Sequence, residues 1–212
     1  MINLNTPPSP NLPYAPQEWN AQYQEQLNNV LRLYFNRLSN VNQFLLGPKG
    51  GRFLSNPCGS FYDTTDQTAV STTTAYPITL NSTAISSGVG VQSSSQIYVT
   101  YPGYYNIQFS IQLTNDTNAP QDIDIWFRKN GTDIADSNSR FGLAARKNPG
   151  DPYHTVAALN FIVDMAANDY LQLYWCTTNT SARIESYTAP SSPTRPAIPS
   201  VILTATFVSG IE

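Results

Sequence analysis

The chain has one histidine, His154, beside Asp151 and Tyr153, and any Ser-His-Asp or Cys-His chemistry would have to run through it. Its thiols, Cys58 and Cys176, stand far apart in sequence, and with one imidazole the ligand count of a structural zinc site is not met. A lone histidine opening a strand-like segment is expected to pack at a strand edge. The chain therefore reads as non-enzymatic, with no catalytic residue, metal or cofactor expected.

Carboxylates are the other chemistry to weigh, because glycoside hydrolysis uses two acids several ångströms apart. Asp122 with Asp124, Asp133 with Asp136, and Asp164 with Asp169 are the pairs, and the first two acids share one face of an alternating strand. Solvated acids on an exposed face are the default; the same acids would also suit calcium. The longest stretch without strand signals, IADSNSRFGLAARKNPGDPY, carries Arg140, Phe141, Arg146, Lys147 and Tyr153. Long loops at the end of a sandwich commonly bind ligands, so these five form a candidate ligand loop; the alternative is that Phe141 and Leu143 fill a gap between protomers. Asn81, Asn115, Asn130 and Asn179 each open an Asn-x-Ser/Thr triplet and read as turn residues.

These side chains must be positioned by a chain of 212 residues, enough for one ordinary domain and an appendage. Hydrophobic residues reach 41% and aromatics 12%, sufficient for a core, while charged residues reach only 12%, about half the usual share of roughly 25%. The polar surface must come from Ser, Thr, Asn and Gln. A net charge of -3 speaks against nucleic acid and anionic membranes, both of which select basic surfaces. No stretch is apolar enough for a signal peptide or a span, so no membrane insertion is expected and the two cysteines are expected to be free thiols.

Residues 1–16 contain Pro7, Pro8, Pro10, Pro13 and Pro16, which precludes a helix and removes ladder donors, giving an extended arm with a reach on the order of 50 Å. It is either a disordered tail or a docking arm anchored by Leu12, Tyr14 and, just beyond it, Trp19. Residues 17–46 lack Pro and Gly and end at Gly47-Pro48, predicting one helix of roughly 45 Å. Leu27, Leu31, Tyr34, Leu38, Val41 and Leu45 fall at separations of 4, 3, 4, 3 and 4, the spacing of a coiled-coil seam. Val30, Phe35 and Phe44 widen the stripe, so the helix either self-associates as a stem or packs on its own head.

After a Gly/Pro hinge at 47–59, short β-branched and aromatic runs separated by turn residues predict strands at 74–80, 87–92, 95–100, 103–113, 122–129, 154–165, 169–178, 182–188 and 201–210. Short strands with tight turns and no intervening helix give a mainly β, antiparallel sandwich over 60–212. Tyr104, Trp126 and Tyr174 are candidate interface aromatics of this head.

Four motifs in order resemble the trimeric head of complement component one-q and tumour necrosis factor. They are Ile97, Val99, Pro102, Gly103, Tyr105, Ile107, Phe109 and Ser110; Ile125, Phe127, Lys129, Asn130 and Gly131; Leu159, Phe161, Asn168, Asp169, Leu171 and Leu173; and Thr206, Phe207, Ser209 and Gly210. Asn168-Asp169 stands where that family usually has Gly-Asp, the segment from Asn130 to Tyr153 is longer, and one residue fewer separates Phe207 from Gly210. The resemblance implies a jelly roll and a homotrimer. Separately, LPYAPQEWNAQYQEQLNNVLRLYFNRLSN is similar to the opening of virion proteins of marine and cyanobacterial phages. That likeness implies a virion location, with the host cytoplasm as the site of synthesis and phage capsid or tail proteins as partners. The expectation is a homotrimeric capsid decoration protein or head or tail fibre; the alternative is an adhesin for a host surface glycan.

Overall fold

The computed structural model describes residues 7–46 and 56–210, and the chain divides into two compact units after Ser55. Residues 1–6 of the arm, the Leu45 side chain of the seam, and 47–55 of the hinge lie outside the described residues.

In the first unit, residues 7–16 form neither helix nor strand, as their prolines dictate. The helix α1 spans Ala21–Leu46. It starts four residues later than the expected 17 because Asn20 caps it: the Asn20 side-chain oxygen accepts from the Tyr23 N–H at 3.1 Å, and the Asn20 carbonyl accepts from the Gln24 N–H. Trp19 thereby falls before the helix. Leu27, Val30, Leu31, Tyr34, Leu38 and Val41 are half-buried along one stripe, and no described helix residue is fully buried. Among the described residues no helix is long and apolar enough to cross a membrane.

The second unit is a sandwich of two antiparallel sheets. Its strands are β1 (Cys58–Asp63), β2 (Tyr76–Pro77), β3 (Ser82–Ser87), β4 (Val89–Gln92), β5 (Gln96–Val99), β6 (Gly103–Asn115) and β7 (Gln121–Lys129). There follow β8 (Thr132–Asp133), β9 (Ser139–Leu143), β10 (Tyr153–Met165), β11 (Tyr170–Thr177), β12 (Ala182–Ile184) and β13 (Val201–Ser209). The first sheet runs β10-β6-β13-β1-β3, with β12 also on β6; the second runs β4-β5-β11-β7-β8, with β2 on β11 and β9 on β7. Hydrogen-bonded neighbours such as β6 with β13 and β5 with β11 are distant in sequence, so the chain crosses repeatedly between sheets.

Alternation fixes which side chains enter the core. On β6, Tyr105, Ile107, Phe109, Ile111 and Leu113 all point inward and are essentially inaccessible. They meet Ile123, Ile125 and Phe127 of β7 and Leu171, Leu173 and Trp175 of β11. Phe127 stacks on Phe161 of β10 at 4.9 Å and tilts against Phe109 at 6.0 Å, joining the sheets.

Several strand boundaries differ from the sequence expectation. β1 begins in the last two residues of the expected hinge, its alternation masked by Gly59 and Ser60, and the second compact unit starts at Asn56, before the expected 60. The strand expected at 74–80 shrinks to Tyr76–Pro77 because Pro77 lacks an N–H; Ile78 and Leu80 still reach the core, donating to the Leu173 and Ser94 carbonyls. β3, made of small polar residues at the sheet edge, and β9, inside the expected ligand loop, carry too little apolar pattern to be read. The strand expected at 182–188 ends at Ile184.

Turn chemistry explains two of the motifs. Asn130 and Gly131 both take positive φ between β7 and β8, the Asn-Gly signature of a tight hairpin. The Asn130 amide donates to Asp169 at 2.7 Å, and its carbonyl oxygen accepts from the Tyr170 N–H at 3.0 Å. Lys-Asn-Gly and Asn168-Asp169 are thus one structural clasp between two turns.

Candidate functional site

The two outer faces of the sandwich are built very differently. On the first sheet, alternation turns Val156, Ala158, Asn160 and Ile162 of β10 outward, opposite Gln112, Ser110, Gln108 and Asn106 of β6. Ile202, Thr204 and Thr206 of β13 continue those rows opposite Ser110, Gln108 and Asn106. None of these side chains is ionisable. Ile162 is 60% exposed, and Val156 and Ile202 are also exposed, with Tyr104 in the next row opposite Asp164. Asn106 Oδ1 is buried here with no hydrogen-bond partner, which costs about 1–3 kcal/mol.

Charge is confined to the ends of this face. At one end Asp164 pairs with Lys129 at 3.2 Å. At the other, one row brings His154 of β10, Thr114 of β6 and Arg183 of β12 side by side. Because Arg183, Glu185 and Tyr187 alternate with buried Ile184 and with Ser186, which is tied to Asp66, their side chains converge on Thr114. Glu185 Oε2 accepts from Thr114 Oγ1 at 2.7 Å and from the Tyr187 hydroxyl at 2.9 Å, and its Oε1 accepts from Arg183 Nη2 at 2.7 Å. Arg183 also pairs with Asp116.

Proton counting assigns the histidine. His154 Nδ1 lies 2.6 Å from the Tyr187 hydroxyl oxygen and 3.0 Å from Thr114 Oγ1, and those two hydroxyls are 3.0 Å apart. The ionised Glu185 is the strongest acceptor within reach of both hydroxyls, and giving it their hydrogens places the ring hydrogen on Nδ1, against the alternative arrangement in which Tyr187 donates to Nδ1. Burial pushes the Glu185 carboxyl up, but the bonds from Thr114, Arg183 and Tyr187 outweigh it and hold the group below its ordinary range. Burial and the Glu185 bond push the Tyr187 phenol up to about 12. A cavity of about 560 Å³ adjoins this network, bounded by Gln112, His154, Tyr187, Arg195 and Ile198.

The outer face of the second sheet is charged and aromatic. Trp126 of β7 lies opposite Tyr174 of β11, with ring centroids 6.1 Å apart, and the Arg128 guanidinium sits 3.8 Å over the Tyr174 ring. Trp126 Nε1 and Arg128 Nε both donate to Asp133 Oδ1, at 2.8 and 2.7 Å. Those two bonds hold the Asp133 carboxyl below its usual range, Arg128 contributing more than Trp126. Arg140 of β9 donates through two nitrogens to both oxygens of Asp124.

The structure separates residues that the sequence grouped. Tyr104 lies on the first sheet, whereas Trp126 and Tyr174 share the second. Of the candidate ligand loop, Arg140 is paired on β9, Phe141 and Tyr153 pack partly into the core, and Arg146 and Lys147 lie in the intervening turn, so the five do not converge. Leu12, Tyr14 and Trp19 are exposed in the first unit. Cys58 and Cys176 are free and project from the outer faces of opposite sheets, because each precedes an inward-facing neighbour on its strand. Asp122 and Asp124 do share an outward face, while Asp164 and Asp169 are held in separate bonds to Lys129 and Asn130. Sequence reading missed the Glu185 network, whose only local signal is the alternation of Arg183, Glu185 and Tyr187. Among the described residues no three His, Cys, Asp or Glu side chains converge on a metal position.

No protein-family model matches the chain, and no curated protein does.

Proposed function

We propose that the chain is a non-enzymatic display protein: a homotrimer of jelly-roll heads carried on a phage particle, with the N-terminal arm and helix as the attachment segment. The outer face of the first sheet carries this reading. Five strands at about 4.8 Å and about nine residues at 3.4 Å give a face of roughly 700 Å², close to the ~800 Å² that each partner contributes to a stable interface. The face lacks ionisable groups in its central rows yet exposes Ile162, Val156 and Ile202. In a threefold ring this face meets a different surface of the neighbouring copy, and between chains of net charge -3 a face without central ionisable groups brings no carboxylate of its own to that contact.

Threefold stoichiometry and the jelly roll follow the resemblance to the complement component one-q and tumour necrosis factor heads; the alternation of the chain between two antiparallel sheets is consistent with the jelly roll. The virion location rests on the likeness of the N-terminal segment to phage virion proteins, and the exposed Leu12, Tyr14 and Trp19 supply apolar anchors for a capsid or tail partner.

Light scattering on the full chain tests the assembly. The native protein should give about 70 kDa, three times 23.4 kDa. Ile162→Glu should give monomers with an unchanged circular dichroism spectrum, whereas Val70→Glu, at a still more exposed loop position, should remain trimeric. A native protein that is monomeric at tens of micromolar, or an Ile162→Glu trimer, overturns the proposal. A second reading, an adhesin for a surface glycan, is favoured by the cleft beside Trp126.

A further inference from the structure

On the second sheet a break in the ladder creates a preformed cleft. β8 ends at Asp133 opposite Arg128, and β9 begins at Ser139 opposite Ile125, so the residues of β7 between them lose their strand partner. The buried Ser137 fills the gap: its hydroxyl accepts from the Phe127 N–H at 3.1 Å and donates to the Ile134 carbonyl at 2.8 Å, while the Ile134 N–H donates to the Phe127 carbonyl. The intervening residues are thereby clamped against β7, and Asp136, at positive φ, and Asn138 stand beside the Trp126 ring. The resulting shallow, open cavity of about 360 Å³ is lined in part by Trp126, Ile134 and Cys176.

The geometry points to this cleft as a binding site for a neutral pyranose saccharide. A sugar ring has two kinds of surface. Its axial C–H groups form an apolar patch that stacks on an aromatic face, and its hydroxyls are donors that pair with carboxylates. The cleft offers both. Trp126 is held in one orientation by its Nε1 bond to Asp133, so its ring is preorganised. Asp133 Oδ2, the Asp136 carboxylate and the Asn138 amide carry no hydrogen bond among the described residues, and all three residues line the same cavity as that ring. The volume lies at the small end of the roughly 300–1,000 Å³ of ligand pockets, which suits one or two rings.

Charge narrows the class. Asp124 is neutralised by Arg140 and Asp133 by Arg128, which leaves Asp136 as an unpaired acid at the mouth. An anionic sugar would meet that carboxylate unfavourably. A divalent cation is a poor occupant because the acids do not converge. The inference is independent of trimer formation, since every residue belongs to one chain and to the sheet opposite the proposed interface.

Saturation-transfer NMR on the full chain with the methyl pyranosides of glucose, galactose and mannose is the direct test, with tryptophan fluorescence as a second readout. At least one should bind with a dissociation constant on the order of millimolar, as expected for a ligand of about a dozen heavy atoms. Trp126→Ala should abolish the signal and Asp136→Asn should weaken it several-fold. Trp126→Phe, which keeps an aromatic floor, should retain part of it, and it guards against a folding defect in the alanine variant. No binding at tens of millimolar, or binding unchanged in Trp126→Ala and Asp136→Asn, overturns the assignment. So does preference for methyl glucuronide or sialic acid over the neutral glycosides, or for calcium over any sugar.

Discussion

Replacing Glu185 by glutamine keeps the side-chain shape and removes the charge that organises its neighbours. Thr114 and Tyr187 donate to one carboxylate oxygen, at 2.7 and 2.9 Å, and Arg183 to the other, at 2.7 Å; the amide keeps a single acceptor oxygen, so at least one of these bonds is lost and the rest are weakened. Hydrogen bonds to an ionised partner contribute about 1.5–3 kcal/mol each and neutral ones about 0.5–1.5, so losing or weakening these three costs at least ~3 kcal/mol. Removing the desolvation of a largely buried carboxylate offsets part of this, leaving a net loss of about 2–3 kcal/mol at pH 7, read by urea denaturation. The pH dependence has a definite sign. The folded carboxyl titrates below its ordinary range, so its contribution is present above the unfolded value of about 4.3 and disappears as pH falls through the folded value beneath it. The gap between native and Glu185→Gln stabilities should therefore be constant from pH 5 to 8 and close in more acid solution. Glutamine also frees a hydroxyl hydrogen: Tyr187 can donate to His154 Nδ1, and the neutral ring should change from the Nδ1–H to the Nε2–H tautomer. The nitrogen shifts of the single imidazole report that directly at pH 8. A stability gap that persists unchanged into acid, or an unaltered tautomer, would refute the proton assignment.

Two further outcomes follow from the same coordinates. The Tyr187 phenol is pushed from about 10 up to about 12, so its contribution is full below the unfolded value and is lost as pH rises through that window. Tyr187→Phe should lose less stability than the native protein between pH 10 and 12, and an identical alkaline profile would contradict the burial argument. In the Ile162→Glu variant, freed of the proposed interface that would cover Cys58, both cysteines should react with a thiol reagent, Cys176 slowed because burial and then Asp124 raise its thiol. Reductant should leave the melting temperature unchanged, and a reductant-sensitive melt would contradict the placement of the two thiols on opposite faces.

Strand content was legible in the sequence where alternation was strong, as along Tyr105 to Leu113, whose every apolar side chain is buried. It failed where side chains are small or prolines intervene, at β1, β3 and the shortened β2, because such strands are defined by their neighbours' backbone groups and not by their own apolar pattern. The same limit hid the composition of the two outer faces. The outward Val156 and Ile162 could be seen as apolar residues on the solvent side of β10, but their union with Ile202 depends on the register of β13 on β6. The ligand loop was inferred from a lack of strand signal; β9 forms there, and pairing to β7 sends Arg140 outward to Asp124 and Phe141 inward.

A two-layer sandwich leaves one outer face per sheet, and the two faces here place opposite demands on their residues. Burial against another copy penalises every unpaired charge, by several kcal/mol once water is excluded, and rewards apolar groups that cost little when exposed singly. The rows of Ser, Thr, Asn and Gln around Ile162 and Ile202 meet that condition, with Asp164 and the Glu185 network displaced to the ends, where water can still reach them. A solvent-facing recognition surface has the reverse requirement, because fixed hydrogen-bonding groups must be held in place without a partner. On the second sheet Arg128, Asp133, Arg140 and Asp124 meet it by pairing with one another and with Trp126, so that each ion is satisfied before any ligand arrives. Exchanging the two surfaces would strand at least two acids and two arginines in an interface and leave the tryptophan without its orienting carboxylate. The segregation of charge is the pattern that the proposed assembly through the first sheet and the proposed recognition on the second would each require.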